Sequence, residues 1–150
     1  MSTSPKGVAV VTGASAGIGA IYADRLARRG YDLILVARNQ ARLDDLAKRI
    51  AGATGRAVET VTADLNNRSD LKRIETILAT DPRITMLVNN AGVGALEALL
   101  QSDVDAMEAM IDLNVTALTR LTYAAAPALV GRGVARSLTS AQWWPSRRKF

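Results

Sequence analysis

The chain has 150 residues, a formal net charge of +5, no cysteine and no histidine. Those two absences exclude disulfides, cysteine nucleophiles and thiolate metal sites and remove the commonest general base and metal ligand; no metal site is expected. The length allows one domain-sized core, and with no bilayer-length apolar run and no signal peptide ahead of the first strand the expected location is the cytoplasm.

Val8 to Gly19, VAVVTGASAGIG, reads as a buried parallel strand, a tight turn and the start of a helix. The unbroken apolar run Val8 to Val11 suits a strand covered on both faces. Thr12 and Gly13 end it. Gly13, Gly17 and Gly19 then allow a sharp bend and leave backbone N–H groups open to a phosphate at a helix N-terminus. The spacing Gly-x-x-x-Gly-x-Gly differs from the usual Gly-x-Gly-x-x-Gly fingerprint, and no Gly-Lys-Ser/Thr follows, which excludes a P-loop. A strand–helix connection that binds nothing is the bland alternative.

A helix is predicted from Gly17 to about Arg29, with Ile18, Ile21, Tyr22, Leu26 and Ala27 as its apolar stripe and Gly30 as its stop. Asp32 to Ala37 is a second buried strand. Asn39 caps a helix from Gln40 to about Ala53 that turns Leu43, Leu46, Ala47 and Ile50 inward. Ala57 to Thr62 is a third strand, and Ser69 is the expected cap of a third helix carrying Leu71, Ile74, Ile77 and Leu78. Thr85 to Asn89 is a fourth strand, left through Asn90-Ala91-Gly92. A long helix follows from about Val104 to Val130, with Met107, Met110, Ile111, Val115, Leu118 and Leu121 at a 3.6 period. Its methionines are expected to fill core, and Pro127 to make the last turns irregular.

Four strand–helix alternations predict an α/β fold, a doubly wound parallel sheet of Rossmann type in the order 3-2-1-4 with right-handed crossovers. The switch point beside the first strand is kept, so a ligand crevice can exist there.

Four stretches stand in order: Thr12-Gly13-x-x-x-Gly17-x-Gly19, Asp64-Leu65 after the third strand, Asn89-Asn90-Ala91-Gly92 after the fourth, and Asn114 in the long helix. Over about residues 6–133 the chain resembles the short-chain dehydrogenase/reductase family of NAD(P)-dependent oxidoreductases. The resemblance implies that the turn formed by Gly13, Ser15, Gly17, Ile18 and Gly19 holds the cofactor diphosphate. It implies that Asp64 contacts adenine beside Leu65, and that Asn90, Ala91 and Gly92 lie against the nicotinamide-side ribose. Asn89 in that family partly braces the sheet. Asn114 matches a position whose backbone carbonyl holds a water of the proton relay and whose side chain deforms its helix. The bland alternatives are a turn-forming Asp64, a purely bracing Asn-Asn-Ala-Gly stretch and a helical Asn114 bonded to backbone.

Charge at the end of the second strand bears on cofactor choice. A carboxylate there accepts from a ribose 2′-hydroxyl and selects NAD, whereas a guanidinium pairs with a 2′-phosphate. Ala37 stands at the acid's position and Arg38 follows, so NADP is the expected cofactor and NAD the less favoured one. Arg42, one helical turn on, is a possible second contact; a solvated surface Arg38 is the alternative.

The family's chemistry needs a serine and a Tyr-x-x-x-Lys pair, in which the lysine lowers the tyrosine pKa. Four residues after Tyr22, Tyr31 and Tyr123 stand Leu26, Leu35 and Pro127, so the chain as written is not expected to catalyse hydride transfer. The last residues offer a reason. Residues 1–131 hold 14 Lys/Arg and 14 Asp/Glu, whereas 132–150 hold five basic residues, no acid, both tryptophans and the only phenylalanine. Where a Gly-x-Ile-Val-Asn-Ile-x-Ser strand is expected, the chain reads VARSLTSAQWWPSRRKF. Read one base earlier, codons for that tail can encode GGTIVNIGSVVAIAPEI; Trp143-Trp144-Pro145 forces valine and then alanine in that frame. We therefore divide the chain into a partial NAD(P)-binding domain, 1–133, and an aberrant basic tail, 134–150, derived from a frameshift. The sheet is then expected to stop at its fourth strand, with an open apolar edge that recruits other chains.

Three functions are compatible with the sequence. The first is a truncated NADP-dependent oxidoreductase acting on a small alcohol or carbonyl compound in its full-length form. The second is a non-catalytic NADP-binding module. The third, ranked last, is a basic-tail contact for nucleic acid or a membrane surface; neither partner is expected. Oligomeric state cannot be carried over from the resemblance.

Overall fold

In a computed structural model, which describes residues 6–94, 98–133 and 139–140, the chain alternates strand and helix from its start. The elements are β1 (Val8–Thr12), α1 (Gly17–Arg28), β2 (Asp32–Ala37), α2 (Gln40–Thr54), β3 (Val58–Thr62), α3 (Arg68–Thr80) and β4 (Ile84–Asn89). A 3₁₀ turn, Leu99–Gln101, leads to α4 (Val104–Ile111), a π-helical segment (Asp112–Ala117) and α5 (Leu118–Gly131). Residues 139–140 form β5 (Thr139–Ser140). No helix among the described residues is long and apolar enough to cross a membrane.

The sheet order is β3-β2-β1-β4-β5, and every pairing is parallel. Every residue of β1 is buried. Two apolar layers follow from the period-2 alternation of the strands. On one face Val8, Val10, Ile34 and Val36 pack with Ile74 and Leu78 of α3 and Leu121 and Leu129 of α5. On the other, Ala9, Val11, Leu33 and Leu35 pack with Ala23 and Leu26 of α1 and Leu43 and Ile50 of α2.

Several local expectations are corrected. Ile18 and Ile21 are 46% and 53% exposed, and α1 instead seats Gly19, Ala23, Leu26 and Ala27 on the sheet. Small residues let α1 approach β1 closely, which turns the stripe away from its bulkiest side chains. The cap of α3 is Asn67, whose Oδ1 accepts the N–H groups of Ser69 and Asp70 at 2.9 and 3.1 Å. Ser69 therefore lies inside the first turn. The long helix does not keep one 3.6 period. The π-helical segment shifts its phase, so Ile111 and Val115 are exposed and the buried residues of this stretch are Ala117, Leu121, Ala125 and Leu129. No residue of α4 is buried, and Met107 and Met110 are only half-buried rather than core filler. α5 runs through an exposed Pro127 to Gly131.

The sheet does not stop at β4. Thr139 and Ser140 pair in parallel with Val88 and Asn89. The unpaired backbone groups at the carboxyl end of β4 are satisfied by whatever extended segment reaches them, regardless of its side chains. At the other end of the same edge, Arg132 Nη1 donates to the Ile84 carbonyl at 3.0 Å. Trp143, Trp144 and Phe150 lie outside the described residues.

Candidate cofactor-binding cleft

The carboxyl ends of β1, β2, β3 and β4 open into one cleft of about 1080 Å³. That exceeds the usual range for a single drug-sized ligand, roughly 300–1,000 Å³. Its lining brings together all the expected site residues except Gly19: Gly13, Ser15, Gly17, Ile18, Arg38, Asp64, Leu65, Asn90, Ala91, Gly92 and Asn114. Gly19 lies just beneath. A Cβ there would stand 2.3 Å from the Gly13 carbonyl oxygen and 2.5 Å from Asn90 Nδ2, so only glycine lets α1 start against this turn. Gly17 has φ +55°, and its missing Cβ faces open space.

The helix behind that space differs from the others at its start. α2, α3 and α4 are each capped by a side chain, from Asn39, Asn67 and Asp103. α1 has no side-chain cap and no acid in its first turn. Its first N–H groups and the positive end of its dipole are left to whatever enters the cleft.

Thr12 organises the other wall. Its Oγ1 accepts the N–H groups of Asn90 and Ala91, both at 3.0 Å, and donates to the Val88 carbonyl. Asn90 Nδ2 donates back to the carbonyls of Thr12 and Gly13, both at 3.1 Å. The side chain of Asn90 is thus engaged with the glycine turn. Sequence reasoning places Thr12 at the strand end and in the glycine-turn motif but assigns its hydroxyl no role; that role appears only when β4 returns beside β1. Asn89 Nδ2 donates to Thr122 Oγ1 at 3.0 Å and ties β4 to α5.

Asn114 lies in the π-helical segment. Its side chain donates from Nδ2 to the Val93 carbonyl at 2.7 Å and accepts the Val93 N–H on Oδ1 at 3.0 Å. A Cβ on Gly92 would meet that same Oδ1 at 3.0 Å.

On the opposite side, Arg38 and Arg42 are exposed and line the cleft. Neither guanidinium has a hydrogen bond or ion pair among the described residues. Ala37, 8% exposed, puts no carboxylate at the end of β2. Asp64 Oδ1 accepts the Asn66 N–H at 3.0 Å. Leu65, 6% exposed, forms the apolar floor next to it.

Among the described residues, the titratable side chains lining the cleft are Arg38, Arg42 and Asp64. Of the tyrosines, Tyr31 is buried and holds Lys6 over its ring at 6.0 Å, away from the cleft, and Tyr123 is 77% exposed on α5.

A family model described as short chain dehydrogenase matches residues 7–139, past the boundary at Gly133 that the sequence pattern suggests. An uncharacterized oxidoreductase of Staphylococcus saprophyticus is 37% identical over 126 residues, covering 83% of this chain and 54% of that protein. The short-chain dehydrogenase of Sphingobium yanoikuyae, solved in complex with NADPH, is 48% identical with a TM-score of 0.83, covering 85% of this chain and 50% of that one. The bulky-bulky ketone specific alcohol dehydrogenase of Comamonas testosteroni is 42% identical with a TM-score of 0.83, covering 85% of this chain and 51% of that one. The chain spans about half the length of the relatives it matches.

Proposed function

Since the chain belongs to the short chain dehydrogenase family, we propose that its cleft holds NADP(H) and that it is the cofactor-binding part of an oxidoreductase acting on an alcohol or ketone. One observation carries the reading. A helix N-terminus without a side-chain cap, an open glycine at position 17 and two guanidiniums unpaired among the described residues line the same cleft.

The residues present fit the group. The N–H groups at the start of α1 receive the diphosphate, with Gly13, Ser15, Gly17 and Ile18 leaving room for it. Arg38 receives the 2′-phosphate, with Arg42 a turn further on. Asp64 and Leu65 receive the adenine. Ala91 and Gly92 bound the nicotinamide-side ribose, and Asn114 holds the loop after β4 through Val93. When bound, the cofactor supplies hydride transfer. The Sphingobium relative, solved with NADPH, supports the phosphorylated form.

Titration of the purified chain with NADP⁺ and NAD⁺ tests the proposal. Tighter binding of NADP⁺ is expected, and Arg38→Ala weakens it about 10-fold to 100-fold, the worth of a charge-assisted hydrogen bond, while leaving NAD⁺ nearly unchanged. Equal affinity for both, or an unaffected variant, refutes the cofactor choice.

A second reading is a cofactor-binding module without turnover. It is favoured by the identity of the titratable cleft residues among the described residues, none of which can act as a tyrosine–lysine acid/base pair. On this reading the 150-residue chain binds NADP⁺ and shows no reduction of ketones with NADPH. We also infer that residues 134–150 reflect a change of reading frame, because the alternative frame of that stretch can encode the strand pattern the family shows there.

A further inference from the structure

The loop after β3 is tied to α3 by more contacts than a simple strand–helix connection requires. The Asp64 N–H donates to Asp70 Oδ2 at 2.9 Å. The Asp64 carbonyl accepts the Asn67 N–H at 2.9 Å, and Asn67 in turn caps α3. The other oxygen of Asp70, Oδ1, accepts from Arg73 Nη2 at 2.9 Å. The same Nη2 donates to the carbonyl of Thr62, the last residue of β3, at 2.6 Å. Backbone on both sides of Ala63 is therefore held by one carboxylate–guanidinium pair.

The consequence falls on the side chain of Asp64. With its backbone N–H pinned and Oδ1 occupied by the Asn66 N–H, Oδ2 has no partner among the described residues and borders the cleft. We propose that Asp70, braced by Arg73, is a positioning residue for the purine end of this cleft, aiming the free carboxylate oxygen of Asp64 at the amino group of a bound adenine. This rests on the cofactor reading above. Neither Asp70 nor Arg73 lines the cleft, so each acts only through Asp64 and Thr62.

The arrangement needs an acceptor at position 70. A carboxylate there strengthens the bond from the Asp64 N–H, suits the first turn of α3 and orients the guanidinium. The Asp64 N–H, with the Arg73 guanidinium second, holds the Asp70 carboxyl below the usual carboxylate range.

Two probes separate this role from general stability: adenosine 2′,5′-bisphosphate for the purine end and nicotinamide mononucleotide for the other. In Asp70→Ala, the affinity for adenosine 2′,5′-bisphosphate falls about tenfold and that for the mononucleotide stays within about twofold. The Asp64 amide resonance moves upfield even without ligand. Asp70→Asn keeps an acceptor oxygen and recovers most of the lost affinity. Arg73→Ala retains the Asp64 bond and gives a loss of about threefold; it replaces Asp70→Ala if that variant does not fold. An unmoved Asp64 resonance, an unchanged affinity for the bisphosphate, or equal losses for both probes overturns the positioning role while NADP⁺ binding by the parent chain stands. Failure of the parent chain to bind NADP⁺ and both probes overturns the cofactor reading, and this inference with it.

Discussion

Asn114 grips the backbone of Val93 in both directions, donating to its carbonyl and accepting its N–H, across 21 positions of sequence. A single amide thereby fastens the chain leaving β4 to the π-helical turn that carries Asn114. The turn's altered phase brings this side chain to the cleft, and Gly92 supplies the clearance.

Loss of that grip is expected to loosen the cleft wall without dissolving the core. Asn114→Ala removes two neutral hydrogen bonds at a partly exposed site, worth about 1–2 kcal/mol together. Amide exchange at Val93 rises accordingly, and NADP⁺ affinity falls several-fold. Val93 exchange as slow as in the parent would show that the grip carries no energy.

Three glycines separate packing from propensity. Gly19→Ala places a Cβ 2.3 Å from the Gly13 carbonyl oxygen and is expected to destabilise by about 1–3 kcal/mol, the usual range for overpacking. Gly17→Ala meets no protein atom, but its φ of +55° costs about 1–2 kcal/mol, and its methyl stands in the space proposed above for the diphosphate. It therefore lowers cofactor affinity more than its urea midpoint suggests. Gly52, inside α2 with open space around it, is the control, and Gly52→Ala stabilises by about 0.5–1 kcal/mol.

Stability is expected to fall in mild acid partly through Glu75. This residue of α3 is buried and bonded to Arg120 of α5, with Lys72 beside it at 3.3 Å. Arg120, ahead of Lys72, draws its carboxyl below the usual range. A depressed folded-state pKa gives stability that is complete above the unfolded value, about 4.3 for glutamate, and is lost as pH falls through the folded value. Urea unfolding at pH 7 and at successively lower pH checks this. Glu75→Gln costs about 1–2 kcal/mol at neutral pH, discounted because Arg120 is 38% exposed. The variant's deficit shrinks toward zero in acid, and a constant deficit would contradict the assignment.

The reading-frame inference is checked on the coding DNA from codon 125 onward. We expect the frame one base back to continue through a serine-bearing strand into Tyr-x-x-x-Lys. A DNA sequence unable to encode GGTIVNIGSVVAIAPEI refutes it, and the tail then stands as this chain's own.

Most of the fold was legible in the chain because its signals are local. The buried strands are continuous apolar runs, the Asn39 cap sits where a polar residue meets a helical period, and alternation of the two periods implies a parallel sheet. Gly17 could be named because a glycine turn after a buried strand is a local signal, and Asp64 and Asn90 because the family resemblance maps them by chain order. What only the tertiary structure decided depends on contacts between distant residues. Ile18 and Ile21 stay exposed because small residues of α1 seat it against β1. Ile111 and Val115 leave the core because a π turn held around Asn114 and Val93 shifts the helix phase. Thr12 becomes a hub only when β4 returns beside β1, some 78 positions later. The short β5 pairing answers backbone groups of β4, which carry no side-chain signature for a sequence to reveal.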